Sequence, residues 1–212
     1  MKPLEQQVKI KIDAVILEGI LGRPQPGKGV VIFAHGSGSS RLSPRNTYVA
    51  RVLQEAGIGT LLFDLLTDEE DRTYEHRFDI DLLARRLLGA TRWLTARPEL
   101  KGAAIGYFGA STGAAAALQG AALLGAAVKA VVSRGGRPDL AIAGLEKVLA
   151  PTLLIVGERD LQVLQLNRQA LAHLAAEKEL AVVPGATHLF EEPGTLEQVA
   201  SLAKDWFVRF LG

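Results

Sequence analysis

The chain contains no cysteine and only four histidines among its 212 residues. Without cysteine there are no disulfides, thiolate nucleophiles or cysteine metal sites, so any chemistry must use oxygen or nitrogen groups. Aromatic residues make up only 6%, and neither sign of charge dominates, because 24 Lys and Arg accompany 23 Asp and Glu. The resulting net charge of +1 provides no electrostatic footprint for nucleic acid or for an anionic membrane. We therefore expect neither as a partner.

Long hydrophobic runs are also missing. None approaches the roughly 18 apolar residues needed to span a bilayer. Near the start of the sequence, Val8, Ile10 and Ile12 alternate with charged residues instead of forming the apolar segment of a signal peptide. We therefore expect a cytoplasmic protein. Because 48% of the residues are hydrophobic, a chain of this length can bury a substantial core, and we expect one domain over residues 1–212.

Short apolar segments alternate with helical patterns along most of the chain. Residues 7–20 predict two short strands, followed by turn residues at Gly22, Pro24, Pro26 and Gly27. Further strands are expected near 30–33, 60–63, 104–108, 127–132, 153–156 and 180–183, and helices near 44–56, 80–96, 114–118, 161–176 and 195–210. Strands that are apolar throughout and separated by helices predict a mostly parallel sheet covered on both faces.

The most informative stretch is Gly109-Ala110-Ser111-Thr112-Gly113. It places a serine between two glycines, directly after an apolar strand and directly before an alanine-rich helix. This arrangement is typical of a nucleophile elbow, in which the flanking glycines remove the Cβ atoms that would collide with neighbouring elements. Ser111 is therefore our candidate nucleophile. The alternative is a simple turn in a glycine-rich protein.

A serine nucleophile needs a histidine base and an acid that orients the base. His188 follows the last predicted strand, at the edge where an open parallel sheet places its ligand-contacting loops. His76 lies in a charged loop and His173 in a predicted helix, so both are expected to be structural or surface residues. For the acid, Asp160 follows the strand near 153–156, and Glu158 is its competitor.

Two backbone N–H groups must stabilise the oxyanion of an acyl-transfer transition state. The elbow supplies one at Thr112, and the glycine-rich loop after the strand near 30–33 supplies the other at Ser37. His35 would then position this loop. A nucleotide-binding loop is the rival interpretation, but Arg41 occupies the position of its third glycine.

Several motifs together resemble the α/β-hydrolase superfamily and, within it, the dienelactone hydrolase-like group. They are HGSGSSR-x-SPRN from residue 35, GASTGAAAAL from 109, SRGGRPDL from 133 and PGATHLFEEPG from 184. The resemblance covers nearly the whole chain. It implies a three-layer α/β-hydrolase fold with a mostly parallel sheet of about 7–8 strands, and the order Ser111, Asp160, His188 for the catalytic residues. It implies no cofactor and no metal.

The resemblance has two further implications. True dienelactone hydrolases use a cysteine at the elbow, and this chain has Ser111 there instead. The resemblance therefore implies a common ancestry but does not imply specificity for lactones. Some relatives of this kind are fused to phosphoribosyltransferase domains.

Only residues 133–150 separate the strand after the elbow helix from the strand that precedes Asp160. This leaves room for one short helix and no large lid, so the site is expected to be open. Arg134 and Arg137 would lie at its edge, where guanidinium groups suit a carboxylate or phosphate of the substrate. Structural bonds to local carbonyls or carboxylates are the alternative for both, and Arg41 and Arg45 carry the same ambiguity.

The sequence therefore predicts a serine hydrolase that cleaves a carboxylic ester, or a related acyl bond, of a small molecule through an acyl-enzyme. An acyltransferase or a perhydrolase fits the same residues. A third possibility is a non-catalytic binding module or an accessory partner of a nucleotide-processing enzyme, suggested by the fused relatives. The acyl group, the leaving group and the oligomeric state are not readable from the sequence.

Overall fold

The structure is a computed structural model that describes residues 5–26 and 28–212, so Gly27 of the expected turn lies outside the described residues. The strands are β1 (Glu5–Ile12), β2 (Val15–Gly22), β3 (Val30–Ala34), β4 (Gly59–Phe63), β5 (Ile105–Ala110), β6 (Val128–Arg134), β7 (Thr152–Gly157) and β8 (Lys178–Val183). The helices are α1 (Pro44–Glu55), α2 (Ile80–Thr95), α3 (Thr112–Leu124), α4 (Leu161–His173) and α5 (Thr195–Leu211).

All eight strands belong to one sheet, in the order β1-β2-β4-β3-β5-β6-β7-β8. The first two form an antiparallel hairpin that pairs antiparallel with β4, and the remaining six strands run parallel. The strand order reverses between β3 and β5, and open α/β sheets bind ligands beside the carboxyl ends of the strands at such a point. The loops after β3 and β5 carry the two glycine-rich motifs of the sequence.

Helices cover both faces of the sheet and bury apolar side chains against it. Residues of α2 and α3 belong to the hydrophobic cluster on one face, and residues of α1 and α5 belong to the cluster on the other. The small side chains of α3 let that helix lie close to the sheet. The three-layer α/β-hydrolase fold expected from the sequence is confirmed. No helix within residues 5–26 and 28–212 is both long and apolar enough to cross a membrane.

The connection between β6 and β7 is short, as expected, and carries no large lid. It contains a 3-10 segment, Pro138–Lys147, with a kink at Ala141, in place of the regular short helix that its length allowed. Gly144 inside the segment disfavours a continuous α-helix. The carboxyl edge of the sheet therefore stays accessible above the elbow.

Candidate active site

Ser111 forms a sharp turn between β5 and α3, with φ of 51° and ψ of −122°. A non-glycine residue rarely adopts a positive φ, and holding one there costs on the order of 1–3 kcal/mol. Close packing explains the two glycines. A Cβ on Gly109 would lie 2.4 Å from Ala114 Cα, and a Cβ on Gly113 would lie 2.2 Å from the carbonyl oxygen of Ala34. This is the geometry of a nucleophile elbow.

Backbone hydrogen bonds hold Ser111 in this conformation. Its N–H donates to the Arg134 carbonyl oxygen over 3.2 Å, and its own carbonyl oxygen accepts from the N–H groups of Ala114 and Arg137, each over 3.1 Å. Thr112 is the first residue of α3, where a backbone N–H has no acceptor within the helix. The elbow therefore presents the Ser111 hydroxyl beside an uncommitted N–H group.

His188 and Asp160 come together from the loops that follow β8 and β7. His188 Nδ1 lies 2.6 Å from Asp160 Oδ2, and the Asp160 side chain is largely buried. Donation of the Nδ1 proton to this carboxylate fixes the tautomer of the ring and leaves Nε2 available as a base. Gly135, at φ 51°, packs against the imidazole, since a Cβ there would lie 3.5 Å from both Nδ1 and Cε1. The sequence offered no signal for this contact.

The competing acid and the other histidines serve different purposes. Glu158 Oε2 accepts a hydrogen bond from the Gly185 N–H over 2.7 Å and so supports the turn after β8. His76 Nδ1 contacts the carbonyl oxygen of Glu70, and His173 lies in the last turn of α4. The structure therefore brings Asp160, and neither of these histidines nor Glu158, to His188.

His35 anchors the loop after β3 to the end of β4. Its Nε2 accepts from the Leu65 N–H over 3.0 Å, so the ring proton sits on Nδ1, which donates to the Gly36 carbonyl oxygen over 3.0 Å. Burial lowers the pKa of His35 below its ordinary value. A neutral imidazole with both nitrogens occupied fixes the loop that contains Ser37 and has no free nitrogen for proton transfer.

The Ser37 N–H donates to the Thr112 hydroxyl oxygen over 3.0 Å. This bond joins the loop after β3 to the first residue of α3, and it brings the two residues that were expected to supply the oxyanion donors into contact. It also occupies the Ser37 N–H. Use of this group for an oxyanion requires the bond to Thr112 to be shared or exchanged.

A pocket of about 220 Å³ contains Ser111 and His188 in its wall. The two side chains share the pocket without a hydrogen bond between them, and this bond is often loose before substrate binds. Ligand pockets commonly occupy roughly 300–1,000 Å³, so this one suits a small group. A larger depression of about 600 Å³ lies beside the β1–β2 hairpin and Arg41, and it contains neither residue.

Two of the four candidate arginines pair with carboxylates and lie outside the pocket around Ser111. Arg41 forms ion pairs with Asp64 and, over 2.6 Å, with Glu18. Arg137 pairs with Asp139 over 2.8 Å, and this hydrogen bond raises the pKa of Arg137. Neither arginine lines the pocket around Ser111.

The other two, Arg45 and Arg134, line that pocket. The sequence gave no sign of the ion pairs of Arg41, because Glu18 and Asp64 each lie 23 residues from it. Asp139, in contrast, is only two residues from Arg137. Within residues 5–26 and 28–212, no group of three or more His, Cys, Asp or Glu side chains is arranged to hold a metal ion.

The fold agrees with comparisons to known proteins. The model of the Dienelactone hydrolase family matches residues 17–211. The chain belongs to this family. A crystal structure of a dienelactone hydrolase from Anabaena variabilis is 56% identical, covers 100% of both chains and superimposes with a TM-score of 0.97. Membership in the dienelactone hydrolase family, which the motifs predicted, is therefore confirmed.

Other relatives are similar over different extents. A Mycobacterium tuberculosis protein named "Putative phosphoribosyl transferase" is 58% identical over 207 residues, which are 98% of this chain and 47% of the relative. The chain thus spans about half the length of the curated relatives it matches. Est1E from Butyrivibrio proteoclasticus is 18% identical, with coverage of 96% and 98% and a TM-score of 0.81, and it shows the shared fold alone.

Proposed function

We propose that this dienelactone hydrolase family member is a serine hydrolase that cleaves a small carboxylic ester, or a related acyl bond, through an acyl-enzyme. The single observation that supports this most is the 2.6 Å hydrogen bond between His188 and Asp160. His188 lines the same pocket as Ser111. A serine held at a strained elbow and a histidine oriented by a buried carboxylate are the parts that this chemistry needs.

The proposed reaction has two halves. Ser111 Oγ attacks the carbonyl carbon while His188 Nε2 takes the hydroxyl proton, and Asp160 stabilises the imidazolium that forms. Collapse of the tetrahedral intermediate breaks the bond to the leaving alcohol, which receives the proton from His188. Water then attacks the acyl-enzyme with His188 as base, and the acid product leaves Ser111 with its proton restored.

Negative charge on the carbonyl oxygen would be stabilised by backbone N–H groups. The Thr112 N–H at the start of α3 is one donor in this proposal, and the positive end of the helix macrodipole adds to it. The Ser37 N–H is the second, and it would exchange the Thr112 hydroxyl oxygen for the more strongly accepting oxyanion.

Replacement of the nucleophile tests the proposal. Ser111→Ala should lower kcat on a short 4-nitrophenyl ester by about 10⁵–10⁶-fold, as loss of a triad serine does in other enzymes. A fluorophosphonate probe should label the wild-type protein and Ser39→Ala, a pocket serine used as a matched control, but not Ser111→Ala. Substantial turnover by folded Ser111→Ala would refute the proposed nucleophile.

Two other kinds of function remain to be distinguished from ester hydrolysis. Acyl transfer or perhydrolysis would use the same acyl-enzyme, and product analysis with a competing alcohol or peroxide distinguishes them from hydrolysis. An accessory role beside a phosphoribosyl transferase is favoured only by the name of the longer relative. Folded protein that the fluorophosphonate leaves unlabelled would support this last function.

A further inference from the structure

Arg134 is a buried cation without an acidic partner. It is the last residue of β6, pairs with Ala110 in the sheet and so lies beside Ser111. Its side chain is on the face covered by α1, where its guanidinium lies 3.5 Å from the Asn46 amide oxygen and 5.9 Å from the Phe190 ring centre. The residue is only 7% exposed. Across the described ranges 5–26 and 28–212, no carboxylate pairs with it, and its Nε has no hydrogen-bond partner.

Further positive charge surrounds the same pocket. Arg45 also lines it, and its Nε is buried without a partner. Its only ion pair in the described part of the chain is a 3.1 Å contact to the solvent-exposed Glu191. The first turn of α1 begins after Ser43, another pocket residue, and it contains no acidic side chain that would offset the helix macrodipole.

Such an arrangement is unfavourable for the protein alone. Burying a guanidinium without a counter-charge costs free energy, and a second arginine nearby adds repulsion. Burial and, to a smaller extent, Arg45 lower the pKa of Arg134 to about 10, so the group stays charged at neutral pH. A purely structural arginine would resemble Arg137, whose guanidinium is matched by Asp139.

We propose that Arg134, assisted by Arg45 and the N-terminus of α1, binds an anionic group of the substrate, a carboxylate or a phosphate, close to the bond that Ser111 attacks. The ester half of this statement rests on the proposed function. The anion-binding part rests on the buried guanidinium of Arg134, which pairs with no carboxylate of the described residues. Planar oxyanions match the fork of N–H donors in arginine, and a bound anion would supply the missing counter-charge.

Matched substrate pairs test the subsite. On the acyl side, 4-nitrophenyl hemisuccinate carries a carboxylate that its methyl ester lacks, and 4-nitrophenyl 3-phosphonopropanoate carries a phosphonate instead. On the alcohol side, 4-acetoxybenzoate is compared with its methyl ester. The wild-type protein should show the higher kcat/KM for the charged member on at least one side. The carboxylate and phosphonate arms identify which anion fits better.

The variant Arg134→Gln should lower kcat/KM for the preferred charged substrate by on the order of 10–100-fold, since hydrogen bonds to charged groups contribute this much. Neutral substrates should change by less than about 3-fold, well below that loss. Arg45→Gln should give a smaller loss with the same selectivity. Arg51→Gln is the matched control, because it removes the same charge from an exposed position of α1. A wild-type preference for the neutral members, or equal losses on charged and neutral substrates, would overturn the subsite.

A binding measurement separates this inference from the proposed function. Succinate and inorganic phosphate are titrated separately into Ser111→Ala, and the Tm is recorded. At least one of these two anions should raise the Tm of Ser111→Ala, and the same anion should not raise the Tm of Ser111→Ala/Arg134→Gln. Stabilisation without any ester hydrolysis by the wild-type protein would leave the subsite standing and remove the esterase proposal. Ester hydrolysis by the wild-type protein, with no rise in the Tm and no loss of charge selectivity in Arg134→Gln, would support the esterase proposal and overturn the anion subsite.

Discussion

The orientation of His188 depends on which of two neighbouring acids reaches it. Asp160 accepts the Nδ1 proton of His188, whereas Glu158, two residues earlier, accepts from the Gly185 N–H. A strand alternates its side chains, but both acids lie beyond the end of β7, where this rule no longer applies. Backbone turns after the strand therefore decide which carboxylate meets the imidazole.

Substitution of each acid by its amide distinguishes the two. Asp160→Asn should lower kcat on a short ester by about 10⁴-fold, because the amide favours the wrong tautomer of His188. Glu158→Gln should lower it by less than about 10-fold, since the amide oxygen can still accept from the Gly185 N–H, at the cost of a weaker hydrogen bond. A larger loss in Glu158→Gln than in Asp160→Asn would reverse the assignment.

At the scale of whole elements, the pattern of apolar residues was enough to predict which segments are strands and which are helices. Helix α2 was expected at 80–96 and is found at Ile80–Thr95, because its apolar residues recur at helical spacing and Pro98 prevents continuation. The elbow was equally readable, because strand, glycines, serine and helix are contiguous in the sequence.

Contacts between distant elements were not readable in this way. The ion pairs of Arg41 join the loop after β3 to β2 and to the end of β4, so its sequence position close to Ser37 was misleading. The Ser37–Thr112 bond likewise links residues 75 positions apart. Side-chain partners across a sheet depend on register and on loop paths, and a single sequence encodes neither directly.

The elbow also sets a limit on substitution at the junction of β5 and α3. In Gly113→Ala the new Cβ would lie 2.2 Å from Ala34 O and 2.4 Å from His35 O, and both are backbone atoms of the adjoining strand and loop. We expect this variant to unfold at least about 10 °C below the wild-type protein, or to be recovered in insoluble form, as strong overpacking predicts.

Gly144→Ala is the matched control for this prediction. Its Cβ would meet only the Ala122 side chain, at 3.9 Å, so its Tm should stay within about 3 °C of the wild-type value. Thermal scans of both variants, with the soluble fraction recorded, provide the comparison. If Gly113→Ala were as stable as Gly144→Ala, the backbone at Ala34 and His35 could move away from α3 far enough to accommodate the added methyl group.

For the molecule as a whole, one sheet separates two hydrophobic clusters, and its central strands contribute side chains to both. Trp93 packs against the cluster on the α2 face, and Trp206 is buried in the cluster on the α5 face. Because alternate side chains of the same central strands enter both clusters, loss of one should expose the other. This is the physical basis for expecting one cooperative domain.

The two tryptophans allow this expectation to be measured. In Trp93→Phe and Trp206→Phe, the remaining tryptophan reports on one face at a time. Urea unfolding followed by fluorescence should have the same midpoint as unfolding followed by far-UV circular dichroism within each variant. Two separate transitions, or a fluorescence midpoint displaced from that of circular dichroism, would indicate two independently unfolding parts.

The two edge strands of the sheet, β1 and β8, differ in how readily they could pair with a strand of a second molecule. β1 exposes Lys9 and Lys11 among other polar residues, and such charges discourage strand addition at an open edge. β8 has its charges only in the first two of its six residues, and its second half, which includes the 39% exposed Val182, is apolar. Aggregation of partly unfolded protein by sheet extension would therefore begin at β8, and a charge introduced at position 182 is the simplest way to oppose it.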